Sequence, residues 1–226
     1  MARRIRAVVF DAVGTLMRSE PSIGQVYAAA GRDFGSRYDE TTVMPRFLDS
    51  FRRHFGAHRG LATSDEIERN RWRDIVGEVF DDVADARDGL FERLWEHFAR
   101  GASWRVFPDV APTWDALAKT GVTIAIGSNY DSRLRRVCRE LTPLHDCSHV
   151  FHSSQVGWAK PSVEFFRAVE RELGLSPDEL LFVGDDRVND CEGPLEAGWL
   201  ARWLVRDGRH DGPHVIRSLQ ELATVV

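Results

Sequence analysis

Apolar residues along this chain follow two rhythms, and the change between them divides it. Short apolar runs bounded by turn residues, at 5–10, 122–127, 150–153, 180–183 and 201–205, read as strands buried on both faces. Among the last four lie stretches with helical spacing, at 112–119, 132–141, 162–173 and 194–197. Gly121, Gly174 and Gly198 each follow such a stretch, where a helix end favours a residue that can turn left-handed. The alternation predicts an α/β core with a doubly wound, Rossmann-like parallel sheet.

Between about 19 and 100 the strand-like runs vanish. Ile67, Trp72, Ile75, Val76, Val79 and Phe80 recur at helical spacing, and the stretch from Gly89 to Phe98 continues the pattern. An all-helical insertion at 19–100 is therefore expected, with the core formed by 1–18 and 101–226. Its aromatic stripe is assigned to internal packing rather than to a ligand-stacking surface. Pro108-Asp109 reads as the turn where the chain re-enters the core.

Composition narrows the function classes. A net charge of -5 over 226 residues supplies no broad basic field for nucleic acid. Cys138, Cys147 and Cys191 form no CxxC pair, so neither a zinc site nor a disulfide framework is indicated, and a reducing, cytoplasmic setting is expected. The charged start, Met1 to Arg4, leads into a strand too short for a signal peptide or membrane span, so no membrane association is expected. No heptad stands out, and the oligomeric state is left open.

Four polar clusters each follow a predicted strand: Asp11; Ser128 with Asn129; Lys160; and Asp185, Asp186 and Asp190. Parallel strands would gather them at one sheet edge, where open α/β sheets bind ligands. Singly, each has a plain structural role: Asp11 in an Asx turn, Ser128, Asp186 or Asp190 as a helix cap, and Lys160 as a solvated cation. Lys160 is one of only two lysines, the other being Lys119, in a chain whose positive charge is otherwise arginine.

The strings VVFDAVGTL, AIGSN, KPSVEFF and LFVGDDRVNDCEGPLEAG, in this order over residues 5–17 and about 104–210, resemble the haloacid dehalogenase-like hydrolase superfamily. The resemblance implies that the insertion is a helical cap over the site. It implies that Asp11 attacks a small phosphorylated substrate to form an aspartyl phosphate. Mg²⁺ would be held by the Asp11 carboxylate, the Val13 backbone carbonyl and Asp185, with Asp190 and Asp186 completing or orienting its shell. Ser128 and the Asn129 backbone would hold phosphoryl oxygens, Lys160 would neutralise charge, and Thr15 would orient the loop or a phosphoryl oxygen.

Val13 departs from the phosphatase pattern, in which an Asp two residues after the nucleophile protonates the leaving group and then activates water. A phosphatase lacking that group should be slow, unless Asp131, His54 or His58 replaces it. DAVGT is also similar to the DAYGT of 2-haloacid dehalogenases, which need neither metal nor leaving-group acid. Phosphonoacetaldehyde hydrolases have a small apolar residue at this position as well, but they use a cap lysine for an imine. No lysine lies between Thr15 and Lys119, so that chemistry would require Lys119 itself. A phosphoanion-binding or regulatory protein with attenuated turnover is the third reading. Arg18, Arg37, His54 and Arg59 are candidates for the cap's contacts to substrate.

Overall fold

The computed structural model describes residues 5–56 and 60–224. The expectations placed on Met1 to Arg4, His58 and Arg59 lie outside them. In chain order the elements are β1 (Ala7–Phe10), β2 (Met17–Ser19), α1 (Ile23–Asp33), α2 (Glu40–Phe51), α3 (Asp65–Val79), α4 (Arg87–His97), β3 (Trp104–Val106), α5 (Val110–Thr120), β4 (Thr123–Ser128) and α6 (Arg133–Arg139). They continue with β5 (His149–His152), α7 (Ser153–Val156), α8 (Val163–Leu173), β6 (Leu180–Gly184), α9 (Gly193–Glu196), β7 (Leu200–Leu204) and β8 (Val215–Ile216).

Six strands form one sheet in the order β5-β4-β1-β6-β7-β8, and every pairing in it is parallel. The α/β reading holds, and each of the five expected strands lies within two residues of its position. At the centre, all four residues of β1 are fully buried, and their alternation assigns them to opposite faces. Val8 and Phe10 pack with Trp114, Leu117, Ile126 and Val183 on one side. Ala7 and Val9 pack with Phe165, Phe166, Phe182 and Trp199 on the other. A strand buried on both faces has no polar alternation to show, which is why these runs read as continuous.

Strands β2 and β3 were not anticipated. They pair antiparallel, Met17 with Val106 and Ser19 with Trp104, where the chain leaves and re-enters the core. Three residues apiece is too short for a period-two pattern. The turn at Pro108-Asp109 follows directly, as expected.

Helices α1 to α4 lie between β2 and β3 and have their own apolar centre, including Tyr27, Val43, Phe47, Ile75, Val79, Phe80, Leu90 and Phe91. Ser22, Asp39 and Ser64 cap α1, α2 and α3 by accepting backbone N–H bonds. The aromatic stripe is packing, as expected: Phe91 and Leu94 are buried in this cluster and Trp95 rests against it. Ile67 differs from its expected place, being 44% exposed in the first turn of α3. The three cysteines are unpaired, and among the described residues no helix is long and apolar enough to cross a membrane.

Phe80 is fully buried, stacks on Tyr27 with ring centroids 6.2 Å apart, and fills the space that a Cβ on Gly31 would otherwise enter. Phe80→Ala should lower the unfolding free energy by about 3–5 kcal/mol in a urea titration. A loss below about 1 kcal/mol would show that the helical layer closes over the cavity.

Candidate active site

All four polar clusters converge at the carboxyl edge of the sheet. Asp11 follows β1, Ser128 ends β4, Lys160 lies in the loop after α7, and Asp185 follows β6. Their hub is Lys160, only 1% exposed, whose ammonium donates to Asp11 Oδ1 at 2.8 Å, Asp190 Oδ1 at 2.6 Å and the Gly127 carbonyl at 3.0 Å. Three donors meet three acceptors, so the buried cation is fully hydrogen-bonded. Its nitrogen also lies 4.6 Å from the centre of the Phe182 ring. Burial alone would depress the pKa of this amine, but Asp11 and Asp190 outweigh burial and raise it to about 12.

The carboxylates outnumber that cation. Oxygens of Asp11, Asp185 and Asp190 lie within 4.8 Å of one another. Burial first, then the neighbouring charge of Asp11, raises Asp185 to about 6, although its side chain opens to solvent at the rim. Burial likewise moves Asp190 upward against the pull of Lys160. A crowded set of hard oxygen donors with surplus negative charge suits a divalent cation such as Mg²⁺.

Individual bonds distinguish the roles of these carboxylates. Asp190 uses both oxygens, Oδ1 on Lys160 and Oδ2 on the Asp186 N–H at 3.0 Å. Asp185 Oδ1 accepts from the Thr15 hydroxyl at 2.8 Å. Asp11 Oδ1 is taken by Lys160, so Oδ2 of Asp11 and of Asp185 are the oxygens outside these bonds. Asp186 does not join the three-carboxylate group: its Oδ1 accepts from the Val188 and Asn189 N–H groups and caps the turn at 187–192.

Glycines let the chains approach. Gly14, at φ 92°, adopts a left-handed conformation, and a Cβ there would collide with the Asp185 carboxylate. In the same loop the Leu16 and Met17 N–H groups bond the Ala12 carbonyl, and the Gly14 N–H bonds Met17. Val13 is partly buried with its side chain against the sheet's apolar core.

Ser128 is buried at the end of β4, and among the described residues no hydrogen bond engages its hydroxyl. Asn129 braces the lysine loop with its side chain, donating to the Lys160 carbonyl at 3.0 Å and accepting from the Lys160 N–H at 2.7 Å. That brace was not read from the sequence, which suggested only a backbone role for Asn129. The Gly127 carbonyl was missed too, since a main-chain acceptor leaves no residue-type signal.

The candidate substitutes for the missing acid are engaged elsewhere. Asp131 forms a two-oxygen pair with Arg133, at 2.7 Å to both Nε and Nη2. His54 bonds Glu78 within the helical insertion. Of the candidate contacts to substrate, Arg18 bonds Glu20 through its guanidinium, and Arg37 bonds Asp82 through its main-chain N–H. Lys119 lies in the last turn of α5, which leads into the amino end of β4, so the strand's length separates it from Ser128. An imine role for Lys119 is thereby removed.

The family profile described as haloacid dehalogenase-like hydrolase matches residues 5–198. This chain belongs to that family. Haloacid dehalogenase-like hydrolase domain-containing protein 3 of Homo sapiens is 26% identical over 211 residues, covering 88% of this chain and 82% of the human protein. The crystal structure of a HAD phosphatase from Thermococcus onnurineus is 26% identical, with TM-score 0.66, and covers 98% of this chain and 97% of its own. A 2-haloacid dehalogenase from Pseudomonas syringae pv. Tomato DC3000 shares the fold at 24% identity and TM-score 0.66, with coverage of 98% and 97%. The fold thus carries both phosphatases and dehalogenases, and this hydrolase must be placed between them by its own site.

Removing the hub cation strands two buried carboxylates. Lys160→Met should cost about 3–5 kcal/mol in guanidinium unfolding at neutral pH with EDTA present. Undiminished stability would show that Asp11 and Asp190 do not depend on the ammonium.

Proposed function

We propose that this hydrolase is a Mg²⁺-dependent phosphatase of small phosphate esters, working through an aspartyl phosphate on Asp11 and slowed by Val13. The observation that carries the reading is the meeting of three carboxylates, two of them bonded to one ammonium. Without a further cation beside Lys160, the surplus carboxylate would repel an anionic substrate, whether phosphate ester or haloacid. When bound, Mg²⁺ would screen the phosphoryl oxygens from the carboxylates and polarise the phosphorus. Asp11 and Asp185 would hold it with the Val13 carbonyl, while Asp190, whose oxygens are already committed, would fix Lys160.

Asp11 Oδ2 attacks phosphorus, and the bond from phosphorus to the ester oxygen breaks with its electron pair on the leaving group. Lys160, bonded to the nucleophile, and the Ser128 hydroxyl would receive the phosphoryl charge. Water then attacks the aspartyl phosphate, returning the Asp11 carboxylate and releasing inorganic phosphate. Valine at 13 neither donates a proton in the first step nor accepts one in the second. Substrates with acidic leaving groups are therefore favoured. The helices α1 to α4 would serve as the cap that selects a small phosphorylated molecule, and the free thiols suit a cytoplasmic setting.

Dehalogenation is the second reading, favoured by the apolar surroundings of Val13. A halide leaves without a proton, so that chemistry tolerates valine. The surplus of carboxylate weighs against it.

Para-nitrophenyl phosphate separates the readings, because its leaving group needs little protonation. Turnover should require Mg²⁺ and disappear in Asp11→Asn, whereas metal-independent halide release from 2-chloropropionate would instead establish dehalogenation. Silence in both assays would favour a phosphoanion-binding role. Val13→Asp should raise phosphatase turnover by about 10²-fold or more. An unchanged or lower rate would show that position 13 is not where the acid/base is missing.

A further inference from the structure

The four sequence clusters leave out the end of β7, yet two of its side chains reach into the site. Trp203 pairs in register with Gly184 and donates its indole N–H to the Asp185 carbonyl at 3.0 Å. Just beyond the strand, Arg206 donates through Nη2 to the Thr15 carbonyl at 2.8 Å. Thr15 in turn donates its hydroxyl to Asp185 Oδ1. Asp185 is thus held twice from one strand end, directly at its main chain and through Thr15 at its carboxylate.

The guanidinium is itself fixed. Asp109 accepts from Arg206 Nη1 at 2.8 Å and Nη2 at 3.0 Å, and also accepts from the Leu219 N–H and the Ser218 hydroxyl. The Phe107 ring lies against the cation at 4.1 Å. Arg206 Nε is buried without a partner among the described residues. Such an orphan N–H is unfavourable, so the planar fork is set by its grip on Thr15 and Asp109 rather than by satisfying every donor.

We propose that Trp203 and Arg206 are positioning residues for Asp185, holding its carboxylate in the attitude that binds the divalent cation. The inference rests on the proposed metal-dependent function. Asp185 sits at the rim, where solvent would otherwise let it swing, and supporting bonds of this kind commonly alter metal affinity by about 10–100-fold. Trp203→Phe keeps the aromatic ring and removes only the donor. Arg206→Met removes the fork and keeps the apolar stem.

Calorimetric titration of the full chain with MgCl₂ tests the claim, alongside urea unfolding of each variant in EDTA. Trp203→Phe and Arg206→Met should each weaken Mg²⁺ binding by about tenfold or more, beyond any change in the metal-free unfolding midpoint. The Arg206→Met loss should shrink in a Thr15→Val background, because the path through Thr15 is then already broken. Folded Trp203→Phe with wild-type Mg²⁺ affinity would overturn the inference while leaving the proposed function standing. A wild-type chain that takes up no Mg²⁺ would overturn both.

Discussion

One buried ammonium organises this protein's site. Lys160 draws together Asp11 from the end of β1, the Gly127 carbonyl from β4 and Asp190 from the turn beyond β6. Stripping a cation of water is costly, and only a full set of acceptors in good geometry offsets that cost. Because the acceptors come from separate strands, the lysine also ties the strand ends together. The remaining imbalance, more carboxylate than cation, leaves negative charge that a further positive charge would offset. Fold and chemistry are coupled through the same three bonds.

The helical insertion rests on the very loops that carry these groups. The Thr63 N–H bonds the Gly157 carbonyl, and the Ala159 N–H bonds Leu61, immediately before Lys160. Asp65 accepts from the Ser132 N–H and the Ser154 hydroxyl, on either side of the Ser128 and Lys160 loops. Arg133 donates to the Trp95 carbonyl and lies 3.3 Å from the centre of its ring. Any displacement of the insertion would have to break these bonds, so its position and that of the loops carrying Ser128 and Lys160 are linked. The same contact explains why Asp131 is no free acid: it is the counter-charge for the arginine that holds α4.

Much of the fold was legible because parallel strands buried on both faces leave unbroken apolar runs. Val8 to Phe10 and Leu180 to Val183 could be recognised without any partner in view. Strands β2, β3 and β8 were not, since elements of two or three residues have no period to read. At the site, Asp11, Ser128, Lys160 and Asp185 were legible through motif order and the edge to which parallel strands bring them. What sequence could not distinguish was competition between local and distant bonds. Asp186 turned to cap its own turn, Asn129 spent its amide on the lysine loop, and His54 was absorbed by Glu78. Trp203 and Arg206 carried no motif at all, because their partners include main-chain carbonyls that leave no trace in residue identity.

Val13 is where the fold and its chemistry part company. Its side chain packs against the apolar core, while Asp11 and Thr15, two residues to either side, bond within the polar cluster. In the proposed reaction a divalent cation, collected by the surplus carboxylates, lets Asp11 approach a phosphoryl group. A crystal grown with magnesium and beryllium fluoride tests this most directly. A cation is expected against Asp11 and Asp185, with a fluoroberyllate bonded to Asp11 within reach of Ser128 and Lys160. Density showing no cation there, or the anion bound away from Asp11, would contradict it.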